Sequence, residues 1–147
     1  MIEPSTALRL DEAIHLQISE QCAKGDGLAE VGEFREAVAA YNQAWSLVPD
    51  PKNEWEAATW ILAAIGDACF QGKWLNSARD ALEYAMTCPG GIGNPFLHLR
   101  LGQVRFDTGD FDRAADELIR AYMGGAQEIF EKEDPKYLAF LRTRATL

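Results

Sequence analysis

Small and aromatic apolar residues recur along this chain between polar stretches. The segment GEFREAVAAYNQA, Gly32 to Ala44, matches GDFDRAADELIRA, Gly109 to Ala121, in a glycine, an acid, an aromatic and then alanines at one shared spacing. A further copy lies between them. Gly25, Gly66 and Gly102 form one column, followed by Phe34/Leu75/Phe111, Ala37/Ala78/Ala114, Tyr41/Leu82/Leu118 and Ala44/Ala85/Ala121, and every column steps by 41 and then 36 residues. Chance does not reproduce the same two unequal intervals five times, so the pattern marks an internal repeat. From the first glycine to the first alanine is 12 residues, room for the rest of one helix, a short turn and the start of the next. The two alanines are seven apart, two turns along one helix face. Small residues where helices cross let the backbones approach, and Phe34, Leu75 and Phe111 fill the space beside them.

Caps and breakers predict helices over 6–30, 33–48, 53–71, 74–87, 95–108, 110–123, 126–133 and 135–144. The first, from Thr6, carries Leu10, Ile14 and Ile18 on one stripe. The segment AQEIFEKEDPKYLAFLRTR is expected to bend at Asp134-Pro135 and to close the last apolar edge with Ile129, Phe130, Tyr137, Leu138, Phe140 and Leu141, while Glu128, Glu131, Lys132, Glu133, Lys136, Arg142 and Arg144 stay in water.

On these columns the chain resembles the tetratricopeptide (TPR) repeat, a helix-turn-helix unit with small residues at the helix contacts and a proline often closing the second helix. The resemblance covers about residues 18 to 126 and points to a small stand-alone protein of bacterial type. Pro49 closes the first copy and Pro89 falls one residue early in the second, whereas the third runs through Gly124-Gly125. The usual large residue near the start of the first helix is Gln21, Leu62 and His98 here, and the extra length falls between repeats, where turns tolerate it. The resemblance implies an all-α, right-handed α-solenoid of about three repeats, spanning roughly 18–52, 59–94 and 95–126. An extended N-terminal helix and a C-terminal cap over 126–147 complete one domain, 1–147.

Composition narrows the function. At 147 residues and 48% hydrophobic content the chain can bury a continuous core. Its 23 acids against 14 Lys and Arg give a net charge of −9, and the densest basic patch is only Arg142 with Arg144. Such a charge repels nucleic acid and anionic lipid and favours a basic or amphipathic protein partner. The start MIEPSTALRLDEAIHLQ has acids where a secretory leader needs a basic region, and the longest apolar run, Trp60 to Ile65, is far too short for a membrane span. A cytoplasmic protein is expected, with no membrane and no nucleic-acid partner. Cys22, Cys69 and Cys88 are odd in number and lack metal-ligand spacing, so three reduced, mostly packed thiols are expected.

Candidate chemistry is sparse. The run TCPGGIGNP, Thr87 to Pro95, follows a helix and lacks the Lys-Ser/Thr of a phosphate loop and the glycine spacing of a dinucleotide loop. It reads as a joint: Gly90 or Gly91 ends one helix in a left-handed conformation, Asn94 caps the next, and Pro95 fits its first turn. Glu12-Ala-Ile-His15 has di-iron helix spacing but no matching second set, and an exposed His15 is expected. The two histidines have no nucleophile signature nearby. Neither an enzyme, a metal nor a cofactor is expected.

The TPR register turns the first helix of each repeat toward an inner, concave surface. It places Ser19, Cys22, Asp26 and Ala29 there from the first repeat; Trp60, Ala63, Asp67 and Phe70 from the second; and Phe96, Leu99, Gln103 and Phe106 from the third. Trp60 then falls beside Phe96, Phe70 beside Phe106, and Asp26 and Asp67 along one line, with Glu30 and Asp107 nearby. The partner-binding candidates are Asp26, Trp60, Asp67, Phe70, Phe96, Gln103 and Phe106, an aromatic trough with an acidic strip suited to a peptide or amphipathic helix carrying Lys or Arg. The same aromatics could instead be covered by the long N-terminal helix or the lengthened linkers. Family members that grip acidic chaperone tails use Lys, Arg and Asn on this face, where only Arg100 and Arg105 are available here. The resemblance therefore implies a protein-interaction module of adaptor, chaperone or immunity type. The alternative is a self-assembling solenoid whose aromatic face joins copies, and the sequence does not decide the oligomeric state.

Overall fold

The computed structural model describes residues 10–147. The expected start of the first helix at Thr6 lies outside the described residues, and within them the helix begins only at Glu12, because the Asp11 side chain accepts from the Ala13 N–H (2.9 Å) and caps it there, which leaves Leu10 before the helix. Among those residues the chain is all helical: α1 (Glu12–Glu30), α2 (Phe34–Ser46), α3 (Glu56–Gln71), α4 (Leu75–Ala85), α5 (Pro95–Asp107), α6 (Phe111–Gly125) and α7 (Pro135–Arg142), with 3-10 turns at Lys52–Glu54 and Gln127–Phe130. The helices pair as the hairpins α1/α2, α3/α4 and α5/α6, each stacked on the next, and α7 closes the stack against α6.

The repeat columns are contact partners. A Cβ built on Gly25 would sit 2.4 Å from the Tyr41 ring, on Gly66 2.5 Å from Leu82, and on Gly102 2.7 Å from Leu118. Each glycine thus lets the large residue of the fourth column lie against the backbone of the preceding helix. The alanines beside these crossings, Ala37, Ala78, Ala114, Ala44, Ala85 and Ala121, are all fully buried. Ile18, Ile61, Leu97, Leu99, Leu118 and Leu141 continue the core through all three hairpins and into α7. Burial of such side chains contributes about 1.5–3 kcal/mol each, the main favourable term in holding a stack of short helices together.

The tight turns repeat as well. Gly32, Lys73 and Gly109 take left-handed backbone at φ 79°, 69° and 83°. The next amide reaches back across the helix end each time: Glu33 N–H to Leu28 O (2.9 Å), Trp74 to Cys69 (2.8 Å) and Asp110 to Arg105 (2.8 Å). This pattern satisfies carbonyls that a helix end leaves unpaired.

Between hairpins the chain departs from the expected helix limits. The predicted helix over 53–71 begins only at Glu56, because Trp55 is extended and its indole N–H donates to Pro49 O (2.9 Å). Lys52 closes the end of α2 by donating to Trp45 O (2.8 Å) and Val48 O (2.6 Å). The predicted helix over 126–133 is a short 3-10 turn: α6 runs through to Gly125 and ends at Ala126, which has φ 54°. Helix α6 can carry its glycines because Gly124 lies against Pro95, at the start of α5.

The run TCPGGIGNP forms the joint between the second and third hairpins. Gly90 and Gly93 have φ 72° and 89°, and the Asn94 side chain accepts from the amides of Phe96 (3.0 Å) and Leu97 (3.3 Å). The Gly93 N–H donates to His98 Nε2 (2.9 Å), so the proton of the neutral ring sits on Nδ1, 2.6 Å from Glu117. Thr59 ties the joint to α3 through Pro89 O (2.6 Å).

Candidate concave site

Helices α1, α3 and α5 bring the first-helix side chains onto one face. At its first gap lies an open recess of about 450 Å³ lined by Asp26, Ala29, Glu30, Phe34, Tyr41, Asp67 and Gln71. The small side chain of Ala29 leaves this room beside the α2 aromatics. The Tyr41 hydroxyl donates to Asp26 Oδ1 (2.6 Å) from a buried ring, which fixes one carboxylate oxygen of Asp26. Burial, the Asp26 hydrogen bond and nearby charge push the Tyr41 phenol far above its ordinary range, so it remains a donor throughout the physiological range. Burial and the Asp26 charge push Cys22 up to about 11, which leaves it an unreactive thiol at neutral pH.

The second gap is closed. Arg100, with 8% of its side chain exposed, donates from Nε to Asp67 Oδ1 (2.8 Å) and from Nη1 to Gln103 Oε1 (2.7 Å) and Glu133 Oε1 (2.5 Å). Its guanidinium carbon lies 5.3 Å from the Phe70 ring centroid and 5.0 Å from that of Phe96. Gln103 is fully buried and donates in turn to Glu133 (2.8 Å). The result is one cation enclosed by two aromatic rings and three polar partners, the arrangement a buried guanidinium requires.

The candidate residues therefore divide. Asp26 is exposed, Trp60 is 39% exposed, and Asp67 and Phe96 are half-buried, so these four retain accessible surface. Phe70 and Gln103 are buried and act only as support. Phe106 packs edge-on against Phe111, Tyr137 and Phe140, at centroid distances of 5.3, 5.5 and 5.0 Å. The expected pairing of Phe70 with Phe106 is replaced by Phe70 against Arg100 and Phe106 against the cap. Asp107 is likewise engaged, accepting from Tyr137 Oη at 2.9 Å and pairing with Lys136 at 3.4 Å. Arg105 pairs with Glu83 and Asp110.

Two participants escaped the sequence reading. Glu133, expected in water, is drawn into the face by Arg100 and Gln103; its partners lie 33 and 30 residues away, and no local pattern links them. Tyr41 was legible as a packing column but not as the anchor of Asp26. Among the described residues no group of three His, Cys, Asp or Glu side chains converges as a metal site, and no helix is long and apolar enough to cross a membrane.

No family model and no curated protein matches the sequence. Solved structures do match. The second TPR of Spaghetti (RPAP3), bound to the HSP90 peptide SRMEEVD, is 16% identical with a TM-score of 0.65, covering 78% of this chain and 99% of that one. The second TPR domain of human RPAP3, in complex with the HSP70 peptide SGPTIEEVD, gives 16% identity and a TM-score of 0.66 over 90% and 99%. The C-terminal TPR-containing domain of a Plasmodium falciparum putative FK506-binding protein gives 14% and 0.71 over 92% and 90%. The crossings repeated through three helical hairpins, together with the likeness to these solved structures, lead to one structural conclusion: this chain has the fold of a tetratricopeptide-repeat domain.

Proposed function

We propose that the chain is a non-enzymatic protein-interaction module that receives a basic or amphipathic segment of another protein across its concave face. The observation that carries this reading is the open acidic recess between α1 and α3, where Asp26 and Asp67 each have one oxygen held by an internal donor and the other left over. A partner Lys or Arg would enter there, with its apolar neighbours on Trp60 and the exposed part of Phe96. The structural neighbours in complex hold acidic peptides. This chain offers the opposite sign, because Arg100 and Arg105 are already paired with its own carboxylates. An adaptor, chaperone or immunity role facing a basic protein, in the cytoplasm, is consistent with the net charge of −9.

The test begins with affinity capture and mass spectrometry from the source cell, followed by binding measurements on the purified partner. Trp60→Ala combined with Asp26→Asn is expected to weaken binding by about tenfold or more, with a further loss at high salt. Unchanged affinity in that variant, with an intact helical spectrum, sinks the concave reading.

A further inference from the structure

The opposite face of the stack carries a second groove, formed where α2 and α4 pass over α3. Its floor is Val38, Ile65 and Cys69, its wall is Trp74, and its rim is Arg35, Asn42 and Ser77, enclosing about 380 Å³. The wall is held in place. Trp74 packs against Gly72, where a Cβ would come 2.3 Å from the ring, and its amide is tied to Cys69 O at 2.8 Å. Trp74 as a whole nevertheless remains 37% exposed. The groove is thus an apolar slot with a fixed aromatic side, of the size that small recognition pockets have.

The rim supplies the charge that identifies an occupant. Arg79, Arg100, Arg105, Arg113 and Arg144 each have a carboxylate within 4.0 Å. Among the described residues Arg35, Arg120 and Arg142 have none, and of these three it is Arg35 whose guanidinium sits over an aromatic ring, 5.8 Å from the Trp74 centroid. A stacked guanidinium uses its face and leaves its edge N–H donors unspent, in the fork geometry that matches a carboxylate. In a chain with a net charge of −9, Arg35 thus brings an unspent positive charge to the rim of an apolar slot.

We propose that this groove is a second docking site, which takes one aliphatic side chain of a partner protein while a flanking Asp or Glu of that partner pairs with Arg35. Asn42 and Ser77 stand on the rim to meet the partner backbone. The site lies apart from the acidic concave recess and selects the opposite charge. The module would thereby bridge two partners of different character, or two segments of one.

The test is an amide-resolved NMR titration of the full chain with acetyl-Glu-Leu-amide and, in parallel, acetyl-Gln-Leu-amide. Saturable shifts are expected at Val38, Asn42, Ile65, Ser77 and the Trp74 indole, with the Glu peptide bound about fivefold more tightly than the Gln peptide, roughly what one exposed, solvent-screened ion pair provides. Arg35→Gln, which touches no buried contact, is expected to erase that difference while leaving the concave recess and the fold unchanged. Four results overturn the proposal: equal affinity for the two peptides, shifts confined to the concave face, no saturable shift up to about 10 mM, or a groove filled by a second copy of the chain, seen as dimerisation in light scattering with Trp74 protected.

Discussion

The first and second halves of the concave face start from equivalent positions and end in opposite states. Asp26, Asp67 and Gln103 occupy one column of the repeat, each next to a crossing glycine. Asp26 is held from within its own hairpin by Tyr41, Asp67 from the next repeat by Arg100, and Gln103 by Arg100 and by Glu133 from the cap. Three residues further along each helix, Ala29 leaves a recess where Phe70 and Phe106 fill theirs. A repeat fixes where a side chain is presented, and the segments packed against it decide whether it is free to bind.

The sharpest way to break this contrast is Arg100→Met. It leaves Asp67, Glu133 and Gln103 without their shared donor, and a urea titration should show a loss of about 3–5 kcal/mol. A loss below about 1 kcal/mol would mean the second half is held by packing alone and the division is false.

Alkaline pH provides a second probe. Cys22, Tyr41 and Tyr137 are all pushed upward, each chiefly by burial and with a neighbouring acid contributing. Groups raised on folding hold their protons while the unfolded chain releases its own, so the stability they contribute is complete below the ordinary values of 9.0 and 10.0 and falls as pH rises beyond them. The melting temperature should therefore drop progressively from about pH 9 upward. In Cys22→Ala/Tyr41→Phe the drop should shrink to the share carried by Tyr137 under the cap and by Cys69 and Cys88, which burial also pushes upward.

A smaller effect is expected for Tyr41→Phe alone, about 1 kcal/mol for the lost 2.6 Å hydrogen bond. Its more telling consequence is local: with Asp26 released, binding of a basic partner should weaken, while amide exchange in α5 and α7 stays unchanged. The smallest change is a gain. Lys73 holds the left-handed turn that Gly32 and Gly109 hold elsewhere, and Lys73→Gly should raise stability by about 0.5–1 kcal/mol in thermal melts, without altering either face.

These contrasts also explain what could be read from the sequence. Gly25 with Tyr41, Gly66 with Leu82 and Gly102 with Leu118 are 16 residues apart in every repeat, so their contact leaves a periodic trace. The Asn94 cap and the joint at Thr87 to Pro95 were legible for the same reason: they are short-range. Arg100 with Glu133 and Phe106 with Phe140 cross from repeat to cap once only, and a contact made once leaves no period to find. The helix limits near Trp55 and Ala126 were missed because an indole bond to Pro49 and a left-handed alanine, neither visible in helix propensity, set them.

The Arg100 knot has a mechanical consequence. Solenoids deform as springs, by small rotations between neighbouring units. A bolt of charge that pins α3, α5 and the segment before α7 together removes that freedom from the distal coil and leaves the proximal one compliant. Under load, or around a bulky guest, the pitch between α1 and α3 is where this spring gives, while the far end keeps its shape.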